Sequence, residues 1–301
     1  MADNSGMALI RGLNIDKVAK GFADEANVFK RYVVNSKTKA REIRWYKKTS
    51  GFLDTPSTTA VTGTLISPVA ERARPAVMEQ SWTRQTSYVK KFFVESPLIS
   101  VEDIKDADID ILATNIRDIV RGVARKVDLR IFSVLNEADA ATPTVPNPTN
   151  VNTAAATGNG WDDGTNGNPV LDILVGKQKI RAAGYDPEGC IISMNSVDHK
   201  NLINWLITVK GASIPQYSSS QVMKGVVMEL LGCNVVVTEN QTQDYVTMWV
   251  PNRAATWKSF MPLTSTVIDD PGIGKKIRCW EEGECLLTDP LAVHVITDTI
   301  T

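Results

Sequence analysis

IRDIVRGVARKVDLRIFSVL, residues 116–135, decides how the rest of the chain is read. Extended back to Ile109, its apolar positions Ile109, Leu112, Ile116, Ile119, Val120, Val123, Val127, Ile131 and Val134 recur every three or four residues. That spacing draws one apolar stripe on an α-helix. It predicts a single helix over 109–135, about 40 Å long at ~1.5 Å per residue. Gly122 within it costs roughly 1 kcal/mol relative to Ala, so a close backbone contact is expected there. The stripe spans too few heptads for a coiled coil.

Looser sequence lies on both sides of this rod. Residues 139–169, DAATPTVPNPTNVNTAAATGNGWDDGTNGNP, hold Pro143, Pro146 and Pro148 and then Gly158, Gly160, Gly164 and Gly167. Such a tract carries too little apolar surface to fold alone, so neighbouring chains are expected to hold it. Residues 1–40 read as an arm, with a helical signal at Ile15–Phe29 broken by Gly21. In REIRWYKK (41–48), Ile43 and Trp45 alternate with charge, as in a half-buried strand. Residues 49–76, punctuated by Pro56, Pro68 and Pro75, have loop composition, and strand character returns over 78–96. Together 41–96 form a long basic β-excursion, and long surface excursions are functional or disordered more often than core.

The remainder alternates helix and strand. Ser100 with Asp103 caps a helix beginning in PLISVEDIKDADIDIL (97–112). PVLDILVGKQKIRAAGY (169–185) is a helix opened by Pro169 and ended at Gly184. CIISMN (190–195) is a strand, and a helix capped by Ser196 follows over 196–211. Two or three strands fall within 226–250, turning around Gln241–Asp244, and further strands at 254–260, 275–289 and 291–300.

Composition excludes several classes. With 301 residues, 43% hydrophobic and 22% charged, the chain can bury a real core. Residues 1–100 carry 16 Lys+Arg against 9 Asp+Glu, a surplus of +7; the net charge of −1 then leaves −8 for the other 201. This asymmetry fits a front half lying against acidic surface, either that of its own copies or nucleic acid. No apolar run reaches the roughly 20 residues of a membrane span, and the polar N-terminus is unlike a signal peptide. Four cysteines without a CxxC pair, and two histidines, argue against a disulfide framework or structural zinc and for a reducing cytoplasm.

No catalytic constellation stands out. PGIGKK (271–276) lacks the first glycine and the Ser/Thr of a phosphate loop, and reads as a hairpin turn. His199 and His294 have no nucleophile in a suitable motif and read as structural. Asp162–Asp163 offers oxygens to a hard cation but lacks the spacing and closing Glu of a calcium loop. No catalytic, cofactor-binding or metal residue is therefore assigned, and no cofactor is expected.

Four stretches, in this order, carry a resemblance. They are ISVEDIKDADIDILATNIRDIVRGVARKVDLRIFSVL (99–135), AAGYDPEGCIISMN (182–195), LLGCNVVVTENQ (230–241) and ECLLTDPLAVHVITDTI (284–300). The chain resembles, from about residue 41 to 301, the major capsid proteins of tailed bacteriophages and related archaeal viruses. The resemblance implies an α+β chain of the Hong-Kong-97-type capsid fold, with an N-terminal arm (1–40) and an extended β-hairpin loop (41–98). It further implies a peripheral domain with spine helix and flexible tract (99–169), an axial domain (170–262) and closing strands of the peripheral domain (263–301). The scaffolding-like N-terminal extension of some members is absent, which implies a separate scaffolding protein, none, or a mature form.

A shell subunit follows as the expected function. It would self-assemble through pentamers and hexamers into an icosahedral shell around double-stranded DNA, packaged without sequence specificity. Its partners would be its own copies, with scaffolding, portal and cement proteins as further candidates and no membrane. Its place would be the virion, assembled in host cytoplasm. Arg41, Arg44, Lys47, Lys48, Arg72, Arg74, Lys90 and Lys91 would contact acidic patches on adjacent subunits, each exposed pair contributing about 0–1 kcal/mol. An encapsulin, the nanocompartment of the same fold that houses enzymes, is the nearest alternative. An α/β enzyme built on 170–262 is a second, for which the sequence offers neither nucleophile nor cofactor loop.

Overall fold

In the computed structural model, the described residues are 28–47, 70–74, 83–106, 111–208 and 229–300. A 3-10 turn, Phe29–Tyr32, leads into β1 (Val34–Lys37), β2 (Glu42–Lys47), β3 (Thr83–Tyr88), β4 (Lys90–Glu95) and β5 (Ile99–Ser100). Helices α1 (Val101–Asp106) and α2 (Ile111–Leu135) follow, then β6 (Asn152–Ala155), α3 (Pro169–Ala182), β7 (Ile191–Met194) and α4 (Ser196–Thr208). Strands β8 (Glu229–Leu230), β9 (Cys233–Val237), β10 (Tyr245–Trp249), β11 (Ala255–Asp270), β12 (Gly274–Leu287) and β13 (Val293–Thr297) complete the chain.

Two sheets share the long helix. The first runs β1-β11-β12-β4, with β5 also on β12; the second runs β6-β13-β10-β7-β9-β8. The predicted rod is α2, whose 25 residues put the apolar stripe to use at both ends. Ile116, Val120, Val123 and Ala124 pack with Ile99, Leu263, Ile277 and Cys279 of the first sheet. Further along, Val127, Ile131, Phe132 and Leu135 share a core with Trp257, Leu287, Val293 and Val295, so the helix reaches the second sheet too. Each such side chain, fully buried, contributes about 1.5–3 kcal/mol. Among the described residues nothing closely approaches Gly122, which is exposed, with open space where a Cβ would stand.

Helices α3 and α4 cover the second sheet, burying Ile173, Ile180, Leu202 and Trp205 against Ile192, Met194, Met248 and Ile296. The expected stop of α3 is present. Gly184 has φ +88°, its N–H donates to Arg181 O, and the Tyr185 N–H reaches back to Ile180 O, which is a Schellman closure. Ser100 Oγ accepts from Asp103 N at 3.0 Å, capping α1 as expected. At α4 the cap lies one residue earlier than the sequence suggests, because Asn195 Oδ1 accepts from Val197 N at 3.0 Å.

The tract 139–169 departs from expectation. It is stitched to its own chain rather than left for a neighbour to hold. Strand β6 pairs in parallel with β13, and Trp161 is buried. Two carboxylates do most of the stitching. Asp172 accepts from Thr157 N (3.0 Å) and Trp161 Nε1 (2.8 Å), and Glu137 accepts from the backbone of residues 149–151. Of these donors Trp161 Nε1 is buried, and its hydrogen bond spares the tract an unpaired polar group.

Strand β11 begins at Ala255 and lies in the first sheet, and β13 pairs with β10 and β6 in the second. PGIGKK forms the β11–β12 turn, with Ile273 N donating to Asp270 O at 3.0 Å. Of the helical signal at 15–29, all but Val28 and Phe29 lies outside the described residues. Among the described residues no helix is long and apolar enough to cross a membrane.

Candidate inter-subunit surface

The hairpin of β2 and β3 has two faces of opposite character. Successive strand residues point to opposite sides, and Glu42, Arg44 and Tyr46 stand opposite Tyr88, Thr86 and Arg84. The intervening positions rest on the body of the protein. Ile43 is buried, Trp45 Nε1 donates to Leu287 O at 3.3 Å, and Lys47 Nζ lies 3.0 Å from Glu137 Oε1. The outer face is open, with Tyr46 61% and Tyr88 65% exposed beside Arg44 and Arg84. Tyrosine with arginine is the composition enriched at protein interfaces. Arg44 is partly engaged by Glu42, 2.6 Å away on the same strand.

The basic residues singled out from sequence scatter over three places. Arg41 lies over the Phe260 ring at 5.4 Å, at the foot of the hairpin. On β4, Lys91 stands 3.6 Å from Glu282 and 5.0 Å above the Phe93 ring, and its exposed neighbour Lys90 pairs in register with Gly283. Arg72 and Arg74 are exposed in the described segment 70–74, and Lys48 lies outside the described residues. Lys47 is taken up within the chain, its side chain 11% exposed against Glu137. Tyr46, Arg84 and Tyr88, exposed on the outer face, are not among the residues singled out from sequence. Their signal was a period-two alternation whose meaning depends on the 42↔88 register, and spacing alone does not give that.

Behind this surface, strand β12 carries three buried glutamates, each matched to a cation from a different element. Lys30 Nζ is 2.5 Å from Glu281, Lys91 3.6 Å from Glu282, and Arg130 2.5 Å from Glu284. Burial pushes the Glu284 carboxyl up, and the Arg130 guanidinium pulls it back. Asp128, buried on α2, accepts from the backbone N–H groups of Val28 (2.9 Å), Phe29 (3.1 Å) and Lys30 (3.1 Å). Burial likewise raises the Asp128 carboxyl, against those three donors. Residues 28–30 are thereby fixed to the spine helix and to β12 together.

The remaining candidates are His294, His199 and Asp163. His294 is fully buried, neither ring nitrogen has a partner among the described residues, and burial holds it down to about 4. Burial also lowers His199. Asp163 spends its oxygens on Thr165 N, Asn166 N and the Asn159 and Asn166 amides of its own loop. Among the described residues no group of three His, Cys, Asp or Glu is placed to hold a metal ion.

A family model described as phage capsid protein matches residues 98–283, more than half of the chain. No curated protein matches it in sequence. Solved structures with the same fold include the capsid of the cyanophage P-SCSP1u, at 10% identity and TM-score 0.63, covering 90% of this chain and 88% of that one. The mature capsid of bacteriophage PhiM1 is similar at 11% identity and TM-score 0.62, with coverages of 90% and 86%. A virus-like particle from Pyrococcus furiosus aligns at 8% identity and TM-score 0.60, over 94% of this chain and 98% of that one. At such identities the likeness is one of fold.

Proposed function

Given that the chain belongs to the phage capsid protein family, and so is a major capsid protein of the Hong-Kong-97-type fold that forms an icosahedral shell, we propose how its parts close that shell. Copies of the chain meet through the open face of the β2–β3 hairpin. The observation that carries this is a hairpin pinned on one side by Ile43, Trp45 and Lys47 while Arg44, Tyr46, Arg84 and Tyr88 face outward. Covering two tyrosines in a partner pocket removes apolar area that the lone subunit leaves in water. Head-to-tail contacts of this kind are heterologous, and they close into pentamers and hexamers when the rotation permits.

Residues 1–40 serve as the arm and 41–98 as the extended loop. Arg41, Arg44, Lys48, Arg72, Arg74, Lys90 and Lys91 supply charge against acidic patches of neighbouring copies. The work is mechanical and needs no turnover. The packaged partner is double-stranded DNA. Supporting this, the solvent side of α2 exposes Arg117, Arg121, Arg125 and Lys126 against one acid, Asp118. These cations span about 14 Å of helix at ~1.5 Å per residue, a spacing suited to successive phosphates, whose neutralisation releases counterions whatever the sequence. Assembly takes place in host cytoplasm.

Negative-stain microscopy of the expressed protein, alone and with a scaffolding protein, tests assembly through the hairpin. Wild type should give closed shells, and the double variant Tyr46→Ser, Tyr88→Ser should give folded, unassembled subunits. Shells from the double variant at wild-type yield would overturn the hairpin's role.

A further inference from the structure

Two thiols far apart in sequence meet in the second sheet. Cys190 leads into β7 and Cys233 opens β9, side by side on a parallel ladder in which Ile191 pairs with Asn234. Hydrogen bonds clamp the pair on both sides. Gly189 N donates to Gly232 O, and Asn234 N donates to Cys190 O, each at 2.9 Å. Gly189 (φ +69°) and Gly232 (φ +73°) adopt left-handed conformations that let the two turns approach. Both cysteines are fully buried, and their sulfurs stand 2.6 Å apart. That is well inside the about 3.5–4.0 Å at which non-bonded heavy atoms rest, and not far above the ~2.05 Å of a disulfide. The clamped backbones leave a bond as the natural resolution of the contact.

We propose that Cys190 and Cys233 are a modification site: an oxidisable pair that a peroxide converts to a disulfide. The chemistry assigns an order. Lys177 Nζ donates to Leu231 O at 2.8 Å and to Glu188 at 3.1 Å, beside Gly232. The hydrogen bond from Cys190 favours thiolate on Cys233, as does the Lys177 ammonium, while on Cys190 the hydrogen bond to Cys233 and burial disfavour it. Cys233 therefore attacks hydrogen peroxide, breaking the O–O bond to give a sulfenic acid and one water. Cys190 then attacks the Cys233 sulfur, displacing the sulfenic oxygen as a second water and closing the S–S bond. Two thiols and one peroxide give one disulfide and two waters. Being small, peroxide suits a buried pair better than a bulky disulfide reagent.

The bond would tie the β8–β9 hairpin to the start of β7. A loop of this length is one whose closure stabilises appreciably. Cys279 and Cys285 lie six residues apart on the single strand β12 and serve as internal controls.

Mass spectrometry of the soluble chain tests the proposal, whether or not shells form. The protein is treated with hydrogen peroxide, then denatured in iodoacetamide, with a dithiothreitol-reduced sample in parallel. The oxidised sample should carry two carbamidomethyl groups and a tryptic peptide joining Cys190 to Cys233, about 2 Da lighter than the sum of its reduced parts. The reduced sample should carry four. Oxidised wild type should melt roughly 5–10 °C above reduced wild type, and Cys233→Ser should lose that shift. Four alkylated cysteines after peroxide, or a link involving Cys279 or Cys285, would overturn the proposal. Because the readout uses wild type, it stands even if the variant folds poorly.

Discussion

Glu137 offers the sharpest single perturbation, because one carboxylate joins the end of the spine helix, the hairpin and the following tract. It accepts from Thr149 N (2.8 Å), Asn150 N (2.5 Å), Val151 N (3.2 Å) and Asn150 Nδ2 (2.7 Å), with Lys47 Nζ at 3.0 Å. Burial works to raise this carboxyl, yet the donors of Asn150, Lys47 and Thr149 outweigh it and bring it from 4.5 to about 2. Its side chain is 12% exposed, so solvent screens little of the effect. At about 1.36 kcal/mol per pH unit, the shift corresponds to stabilisation on the order of 3 kcal/mol at neutral pH. Glu137→Gln should lose about 2–3 kcal/mol in urea unfolding of the unassembled chain. Lys47→Met should lose only about 1 kcal/mol, since the backbone donors remain. The folded carboxyl titrates below the unfolded one, so its contribution is full above the unfolded value and disappears as pH falls from about 4.5 towards 2. The gap between wild type and Glu137→Gln should close over that window. A gap that stays constant with pH, or is under ~0.5 kcal/mol at pH 7, would refute this role.

Other perturbations probe separate parts. Gly176→Ala puts a Cβ 2.7 Å from both His294 Cδ2 and Met248 Sδ, and should cost about 1–3 kcal/mol by urea midpoint. Asp128→Asn weakens the three-donor clamp on residues 28–30, and amide exchange at Phe29 and Lys30 should quicken at least about tenfold. His294 is held near 4 when folded and titrates near about 6.5 unfolded. Its contribution should therefore drain stability as pH falls from 6.5 to 4, and His294→Phe should remove that slope. Replacing Arg117, Arg121 and Lys126 with Ala should flatten the plot of log affinity for duplex DNA against log salt by about 2–3 in slope.

What sequence could and could not convey follows from where each element finds its partners. Helix α2 was legible because its stripe is local, repeating within one turn of itself, and the Gly184 stop of α3 was legible for the same reason. The tract 139–169 misled because its partners, β13, Asp172 and Glu137, lie outside it, and polar satisfaction leaves no periodic trace. Strand β11 was cut short at 260 because its pairing slips between Ser259 and Met261 and again between Met261 and Thr264, erasing the alternation on which strand recognition depends. The hairpin's open face needed the register of β2 on β3, and the thiol pair needed the parallel ladder of β7 and β9. Of the eight basic residues, Lys47 has an acceptor within the chain that no local pattern announces, because Glu137 is 90 residues away, just past the end of α2.

An icosahedral cryo-EM reconstruction of purified particles bears most directly on assembly through the hairpin. It should show five- and six-fold clusters of this chain in which Arg44, Tyr46, Arg84 and Tyr88 are covered by an adjacent copy. Shells that leave this face in solvent, or small discrete oligomers under every assembly condition, would contradict it.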